Sequence, residues 1–494
     1  MIDCAVIPAG GRGSRVTAKR KDRNLIKVLL PIDGKPVLQE NIEIVRDRLG
    51  IRRIIIIIGH HGDEVQKFLG DGEPFGVRIE YLYTDVDKGL VEALLLAEPH
   101  VRGHFVLLLS DGFYLNCNHE TLLPLDYATI DGVVTYIHHY SHEDISSSFS
   151  INLAPNGNRV SYLVEKPQTV NNDMLGLGTF VLSKEIFEYF RNVHVNERTG
   201  NREFIDAISF FAQERHVIGH MLTGLYVNIN TTDDWHFAQF LARRHVFDET
   251  RKSLVIPTYN ENESILFVLN NFHECVDEIV VADGGSSDGT VEKVEGFRDR
   301  CACALILLRG PFRGYGDALR QGVEASTGHI VTFVEADATF RSQDLSKMYE
   351  YIKDCDMVLG TRTTRQMICQ GANMNGWLRF GNVLAAKGIE FLWWFNGEPR
   401  ITDVGCTYRT FWRNRYEEIK HNFVGQGPEF SPEMMIEFIR NNKRVIEIPV
   451  SYFRRVSGES KHSRGILGVS KTAWRMLVLT LRKRFSRAFG TVYP

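Results

Sequence analysis

Two short stretches of this chain carry residue types suited to holding phosphates and a nucleoside. The first is Gly10-Gly11-Arg12-Gly13-Ser14-Arg15. Glycines at these positions let backbone N–H groups come close to phosphate oxygens, and Arg15 with Lys27 downstream supplies the cations a triphosphate needs. A tight turn with no ligand would have the same composition, so this loop alone leaves both readings open. The second is Pro257-Thr258-Tyr259-Asn260-Glu261 together with Asp283-Gly284-Gly285-Ser286-Ser287-Asp288-Gly289-Thr290. Its carboxylates can accept from base N–H and ribose hydroxyl groups, and its glycines leave room for a flat ring.

Each stretch follows a short apolar run. Residues 4–9 (CAVIPA) and 254–257 (LVIP) read as buried strands, so the chain starts over near residue 252. Further strands are predicted at Ile54 to Ile58, Phe105 to Leu109 and Gly132 to Tyr136, then at Glu278 to Ala282, Ala304 to Leu308 and Ile330 to Val334. Short apolar strands separated by helix-length segments predict parallel sheets covered on both faces. Ligands of such sheets sit at the carboxyl ends of the strands, where both stretches lie. The expectation is two α/β domains, 1–246 and 252–459, joined by a helical segment from Asp233 to Val246 and followed by a tail, 460–494. No low-complexity linker separates the halves, which predicts a fixed arrangement.

Composition narrows the possibilities. With 494 residues, 44% hydrophobic and 24% charged, the chain is neither one small module nor a disordered one. Fifty-eight Lys+Arg against 61 Asp+Glu leave a net charge of -3, so no global basic field exists to hold nucleic acid. Of 8 cysteines only Cys301 and Cys303 lie close together, with neither zinc-site spacing nor a disulfide framework, which predicts a reducing compartment. A glycine turn stands where a secretory signal would need an unbroken apolar core, and the richest apolar runs, Ile54 to Ile58 and Met476 to Leu481, are too short to span a bilayer. The expected location is the cytoplasm. His60-His61 and His138-His139 are expected in turns or on the surface; Trp393-Trp394 could line a sugar or lipid groove, with the buried core the favoured place.

Residues 10–15, followed by Lys27-Val28-Leu29-Leu30-Pro31-Ile32-Asp33-Gly34-Lys35-Pro36, resemble the N-terminal signature of sugar-1-phosphate nucleotidyltransferases, which join a nucleoside triphosphate (NTP) to a sugar 1-phosphate. Lys88-Gly89-Leu90, Ser110-Asp111-Gly112, Glu165-Lys166-Pro167 and Gly178-Thr179-Phe180 follow in the family's order. The resemblance implies that Gly10, Gly11, Gly13, Gly89 and Gly178 line the substrate pocket. It gives Lys27 the triphosphate, Arg15 the leaving pyrophosphate, Lys166 the sugar phosphate and Glu165 the sugar hydroxyls. Attack of one anion on another makes catalysis mostly charge neutralisation and in-line positioning. Asp111 would hold Mg²⁺ (or Mn²⁺), a hard ion that prefers carboxylate oxygen. The second metal carboxylate of glucose-1-phosphate thymidylyltransferases is Asn228 here, as it is an asparagine in the related N-acetylglucosamine-1-phosphate uridylyltransferases.

The second half closely resembles the family 2 glycosyltransferases, which have a nucleotide-diphospho-sugar-binding fold. The resemblance implies that Pro257, Tyr259, Glu261 and Asp283 hold the donor nucleotide. Glu335-Ala336-Asp337 stands in the place of the family's Asp-x-Asp motif, making Asp337 and the longer Glu335 metal ligands under a diphosphate leaving group. Asp403, in Thr402-Asp403-Val404-Gly405-Cys406, would be a catalytic base if the acceptor were a hydroxyl. Glu433, Glu447-Ile448-Pro449-Val450, Arg454-Arg455 and Gly458-Glu459-Ser460-Lys461 look like the dolichyl-phosphate mannose synthase branch. There, Arg455, Ser460 and Lys461 would face phosphates of the donor or of a lipid acceptor.

The two resemblances together imply a fusion of two Rossmann-like, GT-A type domains in tandem. The first would make a nucleotide sugar and the second would transfer its sugar, with inversion, to a polyprenyl phosphate for cell-surface glycan or glycolipid synthesis. A hydroxyl acceptor stays open, and so does a non-catalytic sensor or scaffold role for one domain, which Asn228 and Glu335 keep alive. The tail adds a separate hint: from Ser460 to Pro494 it has no acidic residue, while apolar residues recur at helical spacing from Ile466 to Leu481. Such a basic amphipathic helix either lies on an anionic membrane surface, peripherally on its inner face, or docks its apolar side on this protein.

Overall fold

The computed structural model describes residues 2–11, 26–85, 88–138, 141–155, 157–196, 200–372, 374, 376–456 and 465–485, with side chains omitted for 465–472. The chain divides into two compact units, Met1–Ala242 and Arg243–Pro494. The division falls inside the helix Thr232–Val246, because Arg243 is buried against the second unit.

In the first unit nine strands form the main sheet among the described residues. Strand β1 (Ile2–Pro8) lies between β2 (Arg53–Ile58) and β4 (His104–Leu108), parallel to both, and β3 (Arg78–Tyr83) pairs with β2 at the edge. The run Ile54-Ile55-Ile56-Ile57-Ile58 is wholly buried. β-Branched residues facing both ways suit a central strand covered by helices on both faces. Beyond β4 the sheet turns antiparallel, through β9 (Met174–Leu182). The sheets are therefore mixed, with the expected parallel order kept around β1.

The second unit repeats the plan. Strand β12 (Lys252–Thr258) lies between β13 (Glu278–Asp283) and β15 (Ile330–Phe333), parallel to both, and β14 (Ala304–Arg309) extends the sheet past β13. On the other side β17 (Arg409–Trp412) runs antiparallel between β15 and β16 (Met357–Thr361), and β18 (Val445–Pro449) closes the edge. In both units the first strand is therefore flanked by later strands on opposite sides. This is the topological switch point, and in open sheets of this kind ligands bind in the crevice beyond the strand ends there.

Among the described residues no helix is long and apolar enough to cross a membrane. The tail forms the helix Gly465–Phe485, and it docks through Leu479, Thr480 and Lys483. Lys483 is buried against Glu433 (2.7 Å) and Glu437 (2.9 Å). The side expected to be its apolar face points the other way: Leu477 and Leu481 are exposed. A buried ammonium with two carboxylates fixes the rotation of the helix more strongly than apolar spacing does. Trp393 is buried as expected, but Trp394 is 40% exposed.

A buried ion cluster anchors the start of the second unit. Asp356 accepts from Arg243 (2.7 Å) and from the backbone N–H of Arg444 (2.8 Å), with Arg415 at 3.3 Å. Burial raises its carboxyl, but the two guanidinium groups outweigh that and hold it down at about 2. An unfolded aspartate titrates near 4, so this stabilisation is complete above about pH 4 and is lost as pH falls from there toward 2. Asp356→Asn is expected to cost about 3–5 kcal/mol by leaving two buried cations without their anion. Urea unfolding at neutral pH measures it, and at pH 2 the gap from wild type should narrow.

Candidate active sites

The first crevice lies beyond the ends of β1 and β4. Gly10 is needed there for close approach: a Cβ would come within 3.2 Å of both the Gly59 nitrogen and Thr84 Cγ2. Ser110 Oγ donates to the Pro8 carbonyl (2.6 Å) and so ties the two strand ends together. This sets Asp111 beside Lys27, whose Nζ reaches Asp111 Oδ2 at 2.8 Å and Asn230 Oδ1 at 3.4 Å. Strand β11 (Leu225–Asn228) pairs antiparallel with β5 (Gly112–Leu115), setting Asn228 opposite Gly112, and the Ile229 N–H donates to the Asp111 carbonyl (2.9 Å). Asn228 Oδ1 is buried with no hydrogen-bond partner. An orphaned amide oxygen near a carboxylate is a donor set that a hard divalent ion fits.

Gly178 closes this crevice from β9. Its carbonyl accepts from the Leu109 N–H (2.8 Å), and a Cβ would meet Leu109 Cβ and Tyr114 OH at 3.1 Å. Gly89, with φ 87°, precedes the helix Leu90–Leu95 and faces Asn201. Glu165 and Lys166 lie at the end of β8 (Val160–Glu165), 3.5 Å from each other. Burial pushes the Glu165 carboxyl up, and Lys166 has a left-handed backbone with φ 44°. Their polar partners are each other and Ser148 rather than the Lys27–Asp111 pair. Gly11 is exposed at the loop entrance; Gly13 and Arg15 lie outside the described residues.

The second crevice lies beyond β12 and β15. Asp337 is 2% exposed; its Oδ1 accepts from Thr339 (N–H 3.0 Å, hydroxyl 2.6 Å) and its Oδ2 from Arg455 (2.6 Å). Arg455 also approaches Glu261 at 3.9 Å, joining the loops after both strands. Glu335 accepts from the Thr407 hydroxyl (2.6 Å), which in turn accepts from Tyr315 (2.8 Å). Burial first and the neighbouring Asp337 carboxylate second push Glu335 up to about 7. Two carboxylates crowded at one crevice, with an arginine on one of them, are again a donor set suited to a divalent cation.

The loops after β12 and β13 are preorganised by their own side chains. Asp283 accepts from the Gly285 N–H (3.0 Å), the Ser286 N–H (2.9 Å) and the Ser286 hydroxyl (2.5 Å). Ser286 Oγ accepts from the Asn260 N–H (2.8 Å) and Asn260 Oδ1 from the Ser287 N–H (2.9 Å), locking the Pro257–Glu261 loop to it. Tyr259 stays half exposed at the rim. Ser460 and Lys461 lie outside the described residues.

Asp403 is engaged rather than free. Both of its oxygens are held by Arg362, at 2.8 Å (Nε to Oδ2) and 3.0 Å (NH2 to Oδ1), with the Arg362 N–H (3.0 Å) and the Gly405 N–H (3.0 Å) completing the set. Burial would raise its carboxyl, but the Arg362 guanidinium overcomes this and holds it below the usual carboxylate range. Glu447 fixes the same turn by accepting from the N–H groups of Thr402 and Asp403 (each 2.9 Å). Glu433 is likewise structural, accepting from the N–H groups of Val424 (2.9 Å) and Gly425 (2.7 Å). Sequence reasoning missed Arg362 and Thr407. Arg362 carried one readable signal, its place directly after β16 at a strand's carboxyl end.

Residues 4–226 match the Nucleotidyl transferase family model, and residues 253–419 match Glycosyl transferase family 2. The chain is 28% identical over 236 residues to an undecaprenyl-phosphate mannosyltransferase of Micrococcus luteus, covering 44% of this chain and 92% of that protein. It is 27% identical over 244 residues to the low-salt glycan biosynthesis nucleotidyltransferase Agl11 of Haloferax volcanii, covering 46% of this chain and 63% of that one. Among solved structures, a UDP-glucose pyrophosphorylase complexed with UDP-glucose matches with a TM-score of 0.44 at 19% identity, covering 50% of this chain and 100% of that chain.

Proposed function

We propose that this chain, a nucleotidyl transferase domain followed by a family 2 glycosyl transferase domain, makes a nucleotide sugar in its first half and transfers that sugar to a polyprenyl phosphate in its second. The observation that carries the reading is the repeated switch-point crevice with a metal-type carboxylate held by a cation: Asp111 with Lys27, and Asp337 with Arg455. The mannosyltransferase relative acts on an undecaprenyl phosphate by its name, and the haloarchaeal relative is a nucleotidyltransferase of glycan biosynthesis.

In the first crevice Asp111 and Asn228 would hold Mg²⁺ or Mn²⁺, the type of ion both families generally use. When bound, the ion draws charge from the phosphates undergoing displacement. Lys27, released from Asp111, would grip the triphosphate, while Gly10 and Gly11 let backbone N–H groups approach it. Arg15 would take charge on the leaving pyrophosphate, and Gly178, Gly89, Glu165 and Lys166 would bound the sugar-phosphate side. In the second crevice Asp337 and Glu335 would hold the ion, and Pro257, Tyr259, Glu261 and Asp283 would cradle the nucleoside. Arg455, with Ser460 and Lys461 nearby in sequence, would pair with phosphate in place of Asp337.

Asp403 favours the phosphate acceptor over the hydroxyl one. A carboxylate tied by Arg362 and held in its ionised form is a poor partner for removing a hydroxyl proton. A phosphate monoester already carries its negative charge and needs no base. The test is to incubate purified chain with each NTP and a panel of sugar 1-phosphates, following pyrophosphate. Any nucleotide sugar formed is then supplied with a polyprenyl phosphate or with a free alcohol of the same chain. One pairing should release pyrophosphate and its sugar should reach only the phosphate acceptor; transfer to the alcohol alone would overturn the acceptor assignment.

A further inference from the structure

The helix Gly376–Leu392 in the second unit is inside out. Its inner side is modest: Ala386, Ile389 and Glu390 are buried, and Glu390 accepts from the Ile401 N–H (2.7 Å) while Lys387 donates to the Ile401 carbonyl (3.2 Å). The outer side carries Trp377 (85% exposed), Phe380 (61%), Leu384 (63%) and Phe391 (82%), and the stripe continues through Trp394 (40%) and Phe395 (75%). Between them along the same side stand Gly381, Ala385 and Gly388. Single exposed apolar residues are ordinary, but a continuous aromatic stripe along a helix marks a surface that is covered when the protein works.

The tail helix Gly465–Phe485 carries a second such stripe. Its Lys483 face is docked on the helix Phe430–Arg440, leaving Trp474 (66% exposed), Leu477 (49%), Leu481 (41%) and Phe485 (81%) turned outward. Asn396, directly after the other stripe's Phe395, donates to the Arg440 carbonyl at the C-terminal end of the same supporting helix (3.4 Å). Exposed Arg475, Arg482 and Arg484 border the tail stripe, and from residue 460 onward the chain has eight Lys and Arg and no acidic residue. Near the first stripe, the Arg400 guanidinium stands 4.7 Å over the Trp394 ring.

The geometry points to an anionic lipid bilayer as the partner of both stripes, with the helix 376–392 lying in the headgroup region. Trp and Phe on one side of a helix, bordered by Arg, suit the water–lipid boundary. Negative headgroups complement the tail's uniform positive charge, whereas a second copy of the same tail would repel it. This deepens the reading of a lipid-linked acceptor, because the helix's inner face holds the segment Ile401–Cys406. Gly405, in that segment, lies against Asn382 of the helix, with 3.4 Å from its would-be Cβ to Asn382 Oδ1. Docking would bring that segment to the level of a lipid phosphate.

The test uses full chain and vesicles of phosphatidylglycerol and phosphatidylcholine that contain no polyprenyl phosphate. Wild type should co-sediment in proportion to the phosphatidylglycerol content and release with salt. The double variant Phe380→Glu/Phe391→Glu should bind at least about tenfold more weakly, with unchanged circular dichroism and unchanged pyrophosphate release. A chain that stays in the supernatant, or a double variant that sediments like wild type, overturns the proposal. So does light scattering that shows a dimer which the variant splits. Sugar transfer to a short, water-soluble polyprenyl phosphate is assayed alongside: its failure with vesicle binding intact would count against the acceptor reading and leave the lipid surface standing.

Discussion

Asp337→Asn is expected to lower sugar transfer about 10³-fold while pyrophosphate release by the first half keeps its wild-type rate, and Asp111→Asn is expected to do the reverse. Asparagine keeps the shape of aspartate and can still accept from Thr339 through Oδ1, so the loop after β15 should hold its form. What it loses is the negative charge that binds the cation, whether Arg455 or a divalent ion. Arg455 is 23% exposed and can turn to water, so little stability should go with the activity. The readouts are pyrophosphate from NTP plus sugar 1-phosphate, and labelled sugar transferred from a supplied nucleotide sugar. If Asp337→Asn transfers sugar normally, Asp337 is not in the site. If either variant stops both half-reactions, the two crevices do not act as separate centres.

The reach of the sequence followed the range of the physics. Gly10-Gly11 and Pro257 to Glu261 were legible because strand ends are marked locally, by an apolar run stopping at glycine or polar residues. The two domains were legible because that local mark occurs twice. Lys27 and Asp111 are 84 positions apart, so only a family's ordered motifs could place them at one site. Arg362 and Asp403 are 41 apart, and nothing in composition or spacing says that the one will close on the other. The helix 376–392 shows a different gap. Helical spacing shows that Trp377, Phe380, Leu384 and Phe391 share a side, but the same spacing describes a buried stripe and an exposed one. Which it becomes depends on what the rest of the sheet offers to cover. The tail helix shows the same gap: its apolar spacing allowed either a docked or an exposed stripe, and its rotation is fixed by Lys483 meeting Glu433 and Glu437.

Asp403→Asn is expected to cost about 3 kcal/mol of stability and to weaken donor binding as well as slow transfer, because it takes the anion from the mostly buried Arg362. The Arg362 guanidinium lies 5.3 Å over the Tyr452 ring, and its charge favours the ionised form of Glu335, so it acts on the Asp403 turn and on one of the metal-type carboxylates. Asp403 would then work as a positioning residue, holding the Arg362 guanidinium in place for a diphosphate or an acceptor phosphate. A base would behave differently. Its loss would reduce kcat with little change in melting, and would remove the limb of the pH–rate profile that rises as the carboxylate ionises. Arg362→Lys separates these roles without touching Asp403. A lysine keeps the charge but not the two-pronged bond, so it should raise the donor KM and partly restore melting relative to Arg362→Ala. Wild-type kinetics in Arg362→Lys, with kcat alone lost in Asp403→Asn, would return Asp403 to the role of base and with it the hydroxyl acceptor.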